Sequence, residues 1–327
     1  MRLTLPARIK PVQALRTERL ARLSVRYSLY GVTLDCPFSL NAPVSGKTPD
    51  IALRRRASLF RSIKRRGRKT FQYTLLKNGC EYLRFHHFAE FLISRNGRNI
   101  YYRKFPKNTE LREAFLQHLL VQAVSFAMIR LGHEPFHATA LVRHKKAVAL
   151  FGDSGFGKST LAGCLISRGF RLLSDDLLTL KKKRGLWIAF PGSPRIKLFD
   201  RSARKFFRKP GQFPVNPRSG KRIIQLSAGQ AFSSPARVAA IYLLSDLQKI
   251  RAKKTVALRK VKGKDAVMEI INAFYNLVAE MPGRNFKHLE MAHDMAARIP
   301  IRKIYYPRDL NQLPRLARLI ERDLSNF

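Results

Sequence analysis

One segment of the sequence has the residue types and spacing that suit the binding of a phosphate chain. Residues 152–159 read Gly-Asp-Ser-Gly-Phe-Gly-Lys-Ser, which matches the pattern G-x-x-x-x-G-K-[ST]. Glycines let the backbone turn so that its N–H groups point at phosphate oxygens, and the N-terminus of a following helix adds partial positive charge. The segment predicts a nucleoside triphosphate site.

Each part of this loop has an expected role. Lys158 is expected to reach the β- and γ-phosphates and the Ser159 hydroxyl to hold Mg²⁺, so ATP and Mg²⁺ are the predicted cofactors. A chance glycine-rich turn is the alternative, but residues 147–151 have the pattern of a buried strand and residues 160–166 that of a helix. The expected nucleotide contacts are Gly152, Asp153, Ser154, Gly155, Phe156, Gly157, Lys158, Ser159 and Thr160.

Two adjacent carboxylates, Asp175 and Asp176, follow a second apolar segment at residues 170–174. Phosphoryl transfer needs a carboxylate to hold Mg²⁺ and a base to take the proton of the attacking hydroxyl. Neighbouring residues of a strand point to opposite faces, so the two carboxylates can divide these tasks, and their repulsion is expected to raise the pKa of one of them. A helix N-cap or a surface pair is the alternative.

The elements around these residues predict an α/β fold. Residues 135–142 and 147–151 have the pattern of a hairpin with a turn at residues 144–146, and residues 236–244 form a further apolar strand. Ligands of open α/β sheets bind at the carboxyl ends of the strands, which is where the loop and the two carboxylates fall.

Three regions are predicted along the chain. Residues 1–25 form a basic N-terminal arm, residues 26–132 a β-rich region that ends in a bridging helix at 110–131, and residues 133–327 the domain with the nucleotide loop. Within the β-rich region, residues 27–35 are predicted as one strand and residues 88–103 as a hairpin that turns at Asn96-Gly97. Gly132 is the expected C-cap of the bridging helix.

The composition is unusual in its charge. The 327 residues contain 64 Lys and Arg but only 21 Asp and Glu, a formal charge of +43. Such a surface attracts nucleic acid, an anionic membrane face or an acidic peptide without specifying which. The densest basic cluster, at residues 54–69, is interpreted either as a binding patch or as a solvated loop. No apolar segment is long enough to span a membrane.

The three cysteines are too few and too widely spaced for a disulfide framework or a zinc motif. A reducing, cytoplasmic location is therefore expected. The sequence leaves the formation of homo-oligomers open.

Several of these segments together resemble a known family. The loop, the dipeptide His137-Ala138, residues 167–176 and residues 194–198 are similar to the catalytic domain of HPr kinase/phosphorylase, and residues 25–325 resemble the stand-alone kinases related to it, including those of lasso-peptide gene clusters. The resemblance implies a P-loop fold of the phosphoenolpyruvate carboxykinase type and transfer of the γ-phosphate of ATP to a serine of a peptide or protein.

The resemblance also implies roles for single residues. Lys158 would hold the phosphates, Ser159 and Asp175 the Mg²⁺, and Asp176 would be the base with His137 beside it. Apart from the resemblance, the position of Arg195 after the two carboxylates makes it the expected second catalytic cation, with Lys197 near it, and a solvent-facing position is the alternative for either residue.

The chain departs from the family at Thr160, where HPr kinases usually have Glu, and it lacks a Glu-Ile-Arg-Gly signature. The resemblance therefore does not extend to phosphorolysis or to HPr as the acceptor. A serine kinase that acts on a peptide or protein, with an acidic substrate favoured by the basic surface, is the predicted function. The alternatives are an ATPase that binds nucleic acid through its basic patches and a small-molecule kinase, which requires a closed substrate pocket.

Overall fold

The computed structural model describes residues 24–64, 71–86, 89–217, 219–244, 256–275, 281–306 and 309–327. Residues 1–23 of the predicted N-terminal arm and residues 65–70 of the basic cluster lie outside these ranges. The described residues form a mixed α/β fold with two large sheets and one two-stranded sheet, in agreement with the predicted fold class.

The first sheet contains seven strands in the order β1-β2-β3-β7-β6-β5-β4. The strands β2, β3 and β7 pair in parallel and the other neighbours are antiparallel. The hairpin predicted at residues 88–103 is confirmed as β6 and β7. The strands are β1 (Val25–Leu29), β2 (Val32–Cys36), β3 (Ile51–Arg55), β4 (Phe71–Leu75), β5 (Glu81–Phe85), β6 (Ala89–Ile93) and β7 (Asn99–Tyr102).

The prediction of a single strand at residues 27–35 is wrong. The chain reverses at Tyr30 and Gly31, which have φ angles of 55° and 76°, and β1 pairs antiparallel with β2. Two successive residues with positive φ form the type of turn that matches the twist of a tight hairpin. The sequence pattern missed this turn because Tyr30 is a large buried residue in a left-handed conformation, which is rare for a residue of its type.

A helical segment connects the two sheets and confirms the predicted bridging helix. It consists of α1 (Thr109–Gln117), a π-helical turn (His118–Ala123) and α2 (Val124–Arg130). Asn108 caps its start, since its side chain accepts a hydrogen bond from the Leu111 backbone N–H at 3.1 Å. Gly132, with φ of 82°, follows the last turn as the predicted C-cap.

The second sheet has nine strands and holds the nucleotide-loop segment at its centre. Its main path is β11-β9-β10-β16-β13-β12-β8, and β18 pairs in parallel with β16 and antiparallel with β17. The central pair β10 and β16 is parallel. The strands are β8 (Pro135–Phe136), β9 (Thr139–Arg143), β10 (Lys146–Phe151), β11 (Arg171–Ser174), β12 (Leu178–Lys183), β13 (Leu186–Ala189), β16 (Ala236–Leu244), β17 (Ala257–Val261) and β18 (Ile301–Tyr305), while β14 (Arg195–Leu198) pairs with β15 (Arg222–Gln225).

Helices cover this sheet on both faces and bury its apolar side chains. One cluster joins Leu150 of β10 to Leu161 and Leu316 in the helices, and a second joins Phe151 to Ile270 and Met295. The sheet is thus buried on both faces, as its uninterrupted apolar strands require. The helices are α3 (Lys158–Ile166), α4 (Asp200–Phe206), α5 (Gly263–Asn272), α6 (Arg284–Arg298) and α7 (Leu313–Ser325).

The turn between β1 and β2 packs directly on the second sheet. The Tyr30 backbone N–H donates to the Pro191 carbonyl at 2.7 Å, and the Lys181 ammonium donates to the Gly31 carbonyl at 2.9 Å. The two sheets therefore meet next to the segment that leads into β14. Among the described residues, none of the helices is long and apolar enough to cross a bilayer.

Candidate functional site

The segment 152–159 forms a tight loop between β10 and α3, which confirms the predicted strand and helix on either side. Gly152, Gly155 and Gly157 have φ angles of 138°, 89° and 91°, which side chains rarely allow. A Cβ on Gly152 would also lie 2.5 Å from the Leu244 carbonyl oxygen. The backbone of the loop therefore requires glycine both for its conformation and for its close contact with β16.

Lys158, the first residue of α3, places its ammonium inside the loop. It donates hydrogen bonds to the backbone carbonyls of Gly152 and of Asp153, the latter at 3.0 Å. Burial lowers the pKa of Lys158, while Asp176 and Asp175 act in the opposite direction. The ammonium is thus a buried cation, held by the loop backbone and within the field of both carboxylates.

Asp175 lies directly after β11 and is anchored by two hydroxyl groups. Its Oδ1 accepts hydrogen bonds from Thr139 Oγ1 at 2.7 Å and from Ser159 Oγ at 3.1 Å. Burial, and then the neighbouring Asp176 carboxylate, raise the pKa of Asp175 to about 6. The carboxylate and the Ser159 hydroxyl therefore form an adjacent pair of oxygen ligands.

Asp176 has the opposite electrostatic environment. Its carboxylate forms an ion pair with the Lys197 ammonium at 2.5 Å. Burial disfavours its charge, but Lys197 and then His137 outweigh burial and lower the pKa of Asp176 to about 2. The expected separation of the two pKa values is present, but the raised value belongs to Asp175 and not to Asp176, so a raised pKa does not assist the residue that the resemblance makes the base.

The expectation that the two carboxylates point to opposite faces of a strand is wrong. β11 ends at Ser174, and Asp176 has a φ of 66°, so the chain turns before the alternation of a strand applies. This turn leaves both carboxylates on the side of the loop, where Asp175 reaches Ser159 and Asp176 lines the same cleft as Lys158.

His137, between β8 and β9, lies beside the carboxylates as the resemblance implies. Its Nδ1 is 3.1 Å from the Asp176 backbone oxygen, and since a carbonyl can only accept, Nδ1 carries the proton. Burial and the nearby Lys158 lower the pKa of His137. The ring is therefore neutral near pH 7, with Nε2 as its unprotonated nitrogen.

Arg195 lies near the carboxylates, but its guanidinium binds other partners. It donates to Glu113 Oε2 at 2.8 Å and to Gln225 Oε1 at 3.1 Å. Lys197, two residues further along β14, is the cation that contacts Asp176. The structure therefore puts Lys197 in the position expected of Arg195, and Arg195 instead links β14 to the bridging helix.

A cleft of about 300 Å³ opens in front of the loop. It is lined by Lys158, Ser159, Asp176 and His137. The apolar side chains of Phe156, Tyr306, Leu310 and Leu313 and the basic residues Lys197, Arg201 and Lys221 also line it. The contribution of α7 and of the segment before it to this cleft was not predicted, because both meet the loop only through the tertiary fold.

The oxygen ligands suit a hard divalent cation. Ser159 and Asp175 supply adjacent oxygens, and Mg²⁺ is usually held by one or two carboxylates together with water and substrate phosphates. Within the described ranges, no group of three or more His, Cys, Asp or Glu side chains could form a metal site by itself. The residues at the loop therefore fit Mg²⁺ bound together with a nucleotide.

No protein-family model and no curated protein matches this chain. Among solved structures, the Hpr(Ser) kinase/phosphatase from Coxiella burnetii matches at 17% sequence identity with a TM-score of 0.33. The match covers 58% of this chain and 98% of that chain. A likeness of this strength carries no argument about fold or function.

Proposed function

We propose that this chain is a kinase that transfers the γ-phosphate of Mg-ATP to a serine hydroxyl of a peptide or protein. The observation that carries the proposal is that Lys158, Ser159 and Asp176 line one cleft and that Asp175 accepts a hydrogen bond from Ser159. A phosphate-binding cation, a pair of oxygen ligands for Mg²⁺ and a separate carboxylate are the groups that phosphoryl transfer requires.

In the proposed reaction, the serine oxygen forms a bond to the γ-phosphorus while the bond from that phosphorus to its bridging oxygen breaks, and ADP leaves. The proton of the serine hydroxyl passes to the Asp176 carboxylate. Phosphoryl transfer has a loose transition state, so the hydroxyl becomes acidic late and a base of low pKa suffices. Lys197 keeps Asp176 ionised and thus able to accept that proton.

The loop supplies binding and charge stabilisation. The Lys158 ammonium, now on the carbonyls of Gly152 and Asp153, is positioned to contact phosphate oxygens in the cleft. Mg²⁺, when bound, would be held by Ser159 and Asp175 and would neutralise charge on the β- and γ-phosphates. His137 hydrogen-bonds the Asp176 backbone and so positions that residue.

A lasso-type precursor peptide is the acceptor that the sequence resemblance favours, and an acidic peptide is the one that the charge of +43 favours. Genes for a small precursor, a cyclase and a protease beside the gene of this chain would support the first of these acceptors. Their absence would count against it.

The substitution Asp176→Asn tests the proposal. It should abolish transfer of ³²P from γ-labelled ATP to degenerate peptide libraries that contain serine, while the Kd for nucleotide changes less than about threefold. Asp265→Asn, at the exposed start of α5, is the matched control and should leave both measurements unchanged. Retained transfer in the Asp176 variant, or lost nucleotide binding, would overturn the assignment of Asp176 as the base.

A further inference from the structure

A second, smaller cavity of about 30 Å³ is lined by both carboxylates, Asp175 and Asp176. Asp176 and Lys197 line both this cavity and the nucleotide cleft, so the two spaces adjoin at these side chains. In-line transfer needs the acceptor hydroxyl to lie beside the base and to reach the γ-phosphate, and an acceptor in a space that adjoins the cleft at Asp176 would lie beside the proposed base.

The walls of the small cavity come from both parts of the molecule. Tyr30 belongs to the turn between β1 and β2, and Leu120 and Val121 belong to the π-helical turn of the bridging helix. Ser193 and Arg195 lie on the segment that enters β14. The N-terminal region thus completes a space at the carboxylates that the second sheet alone leaves open.

The π-helical turn is a specific feature of this wall. Such turns are rare and are frequently found at functional sites. Here the turn includes Gln122, whose amide donates to the Tyr275 hydroxyl at 2.6 Å, and the Tyr275 ring lies 5.5 Å from that of His137. The wall is therefore tied to the same residues that surround the carboxylates.

One residue that lines the small cavity, Ser193, has a buried hydroxyl oxygen that lacks a hydrogen-bond partner among the described residues. Its backbone N–H lies 3.5 Å from the Tyr30 hydroxyl. Buried hydroxyls of folded proteins are nearly always paired, and an exception calls for an explanation. A polar group of a bound acceptor would supply the missing partner.

The size of the cavity limits the acceptor. A cavity needs roughly 10–15 Å³ on this scale to hold one water molecule, so this space accommodates about two groups of that size. The serine side chain beyond its Cα consists of one methylene and one hydroxyl. Threonine adds a methyl group and tyrosine adds a ring, so both need more space than serine does.

We propose that this cavity is the acceptor site, that it takes the hydroxymethyl group of a serine in a peptide chain, and that the N-terminal region thereby determines serine specificity. The inference rests on the proposed kinase function. A shallow cleft of about 440 Å³ that shares Gln117 with the cavity, and is lined by Phe71, Phe85 and Asn216, offers room for the flanking peptide.

The first experiment fills the cavity. Val121→Phe should reduce ³²P transfer to a degenerate peptide library with one central serine by at least about tenfold, while the Kd for a fluorescent ATP analogue changes less than twofold. Leu111→Phe, at a partly buried position on the same helical segment outside the cavity, is the matched control and should retain transfer. Equal transfer by wild type and Val121→Phe would overturn the inference and leave the kinase proposal intact.

The second experiment tests the size limit with three libraries that differ only in a central Ser, Thr or Tyr. Wild type should phosphorylate the serine library at least about tenfold faster than the threonine library, and the enlarged cavity of Val121→Ala should reduce that ratio severalfold. A wild-type enzyme that uses Ser and Thr equally, or a ratio unchanged in Val121→Ala, would overturn the assignment of the cavity. No transfer to any library would overturn the kinase proposal, and this inference with it.

Discussion

At the scale of single residues, the two carboxylates differ because their partners differ. Asp175 accepts hydrogen bonds from hydroxyls, which offset only part of the free-energy cost of burying its charge. Asp176 contacts the Lys197 ammonium instead. A full charge in a partner stabilises an ionised carboxylate more than a neutral dipole does, so the pKa values move in opposite directions. The assignment of Asp175 to Mg²⁺ and of Asp176 to the proton remains a prediction.

Lys197 is expected to matter for transfer more than for nucleotide binding. Lys197→Met removes the cation beside Asp176 and should lower kcat by roughly 10²–10³-fold, the range found when one stabilising donor is removed from an active site. Lys197→Arg retains the charge and should keep part of the rate. The measurement is steady-state ³²P transfer at saturating ATP.

The exposed Lys260, on β17, provides the control for the loss of one positive charge, and Lys260→Met should leave kcat unchanged. A kcat of Lys197→Met that equals the wild-type value would contradict a role for Lys197 in the reaction. If Lys197→Arg lowers kcat as much as Lys197→Met does, the result would indicate a packing role for Lys197 instead.

At the scale of elements, the contact between the first turn and the segment before β14 determines whether the small cavity exists. Gly192 lies in that contact, where an added Cβ would be 2.1 Å from Ser174 Oγ and 2.5 Å from Tyr30 Cε1. Neither neighbour can move freely, because Tyr30 is fully buried and Ser174 Oγ donates to the Leu177 carbonyl at 2.5 Å. The two sheets can therefore pack this closely only because residue 192 has no side chain.

Gly192→Ala should consequently destabilise the fold by about 1–3 kcal/mol, which is typical of overpacking in a core. Urea unfolding followed by circular dichroism measures the change. Gly46→Ala, at a position where an added Cβ meets no atom within 4 Å, should change the free energy of unfolding by less than about 0.5 kcal/mol. Equal effects of the two substitutions would contradict the close contact.

A buried ion pair joins the start of the second sheet to α6. Glu134 Oε2 accepts hydrogen bonds from Arg284 Nε at 2.9 Å and lies 2.8 Å from His288 Nε2. Removal of one member of such a pair leaves an uncompensated buried charge. Glu134→Gln should therefore lower the free energy of unfolding by about 3–5 kcal/mol, whereas Glu290→Gln, at an exposed position of the same helix, should have little effect.

The same pair predicts a dependence on pH. Burial opposes the charge of Glu134, but His288 and then Arg284 outweigh burial and lower its pKa below the ordinary value of 4.5. The folded state then binds this proton more weakly than the unfolded state, so the stabilisation is present above pH 4.5 and is lost as the pH falls. The difference in Tm between wild type and Glu134→Gln should shrink below pH 4.5, and a constant difference would contradict this linkage.

At the scale of the whole molecule, some of the few acidic side chains each form ion pairs with two basic side chains. Glu321 binds both Arg143 and Arg168, and Asp294 binds both Lys182 and Arg298. In the described part of the basic cluster, Phe60 is buried against Tyr82 and Leu92 rather than exposed for stacking on bases. The excess of positive charge thus attracts anions in general, and Phe60 of the cluster packs in the core.

Binding of nucleic acid is therefore expected to be electrostatic and without effect on catalysis. The affinity for a single-stranded RNA should fall by roughly 10³-fold or more between about 50 and 200 mM salt, with little dependence on sequence. ATP turnover in the presence of the serine library should change less than twofold when RNA is added at 200 mM salt. Turnover that depends on RNA, with no phosphate on any peptide, would favour the alternative of a nucleic-acid-dependent ATPase.

The features that the sequence determined by itself are those formed by residues adjacent in the chain. The loop at 152–159, with its strand before and its helix after, was predictable because a short segment contains all the glycines, the lysine and the serine that define it. The hairpin of β6 and β7 and the end of the bridging helix at Gly132 were predictable for the same reason. Turn and cap conformations depend on adjacent residues.

What only the tertiary structure decided is which distant residues meet. Thr139 reaches Asp175, Lys197 takes the place beside Asp176 expected of Arg195, and Tyr30 comes to the carboxylates from the first hairpin. These residues lie on strands and turns far apart in the chain, so no local pattern encodes their contact. The physical reason is that sheet order and the packing of the two sheets depend on burial summed over the whole chain, and the positions of single charged groups follow from that packing.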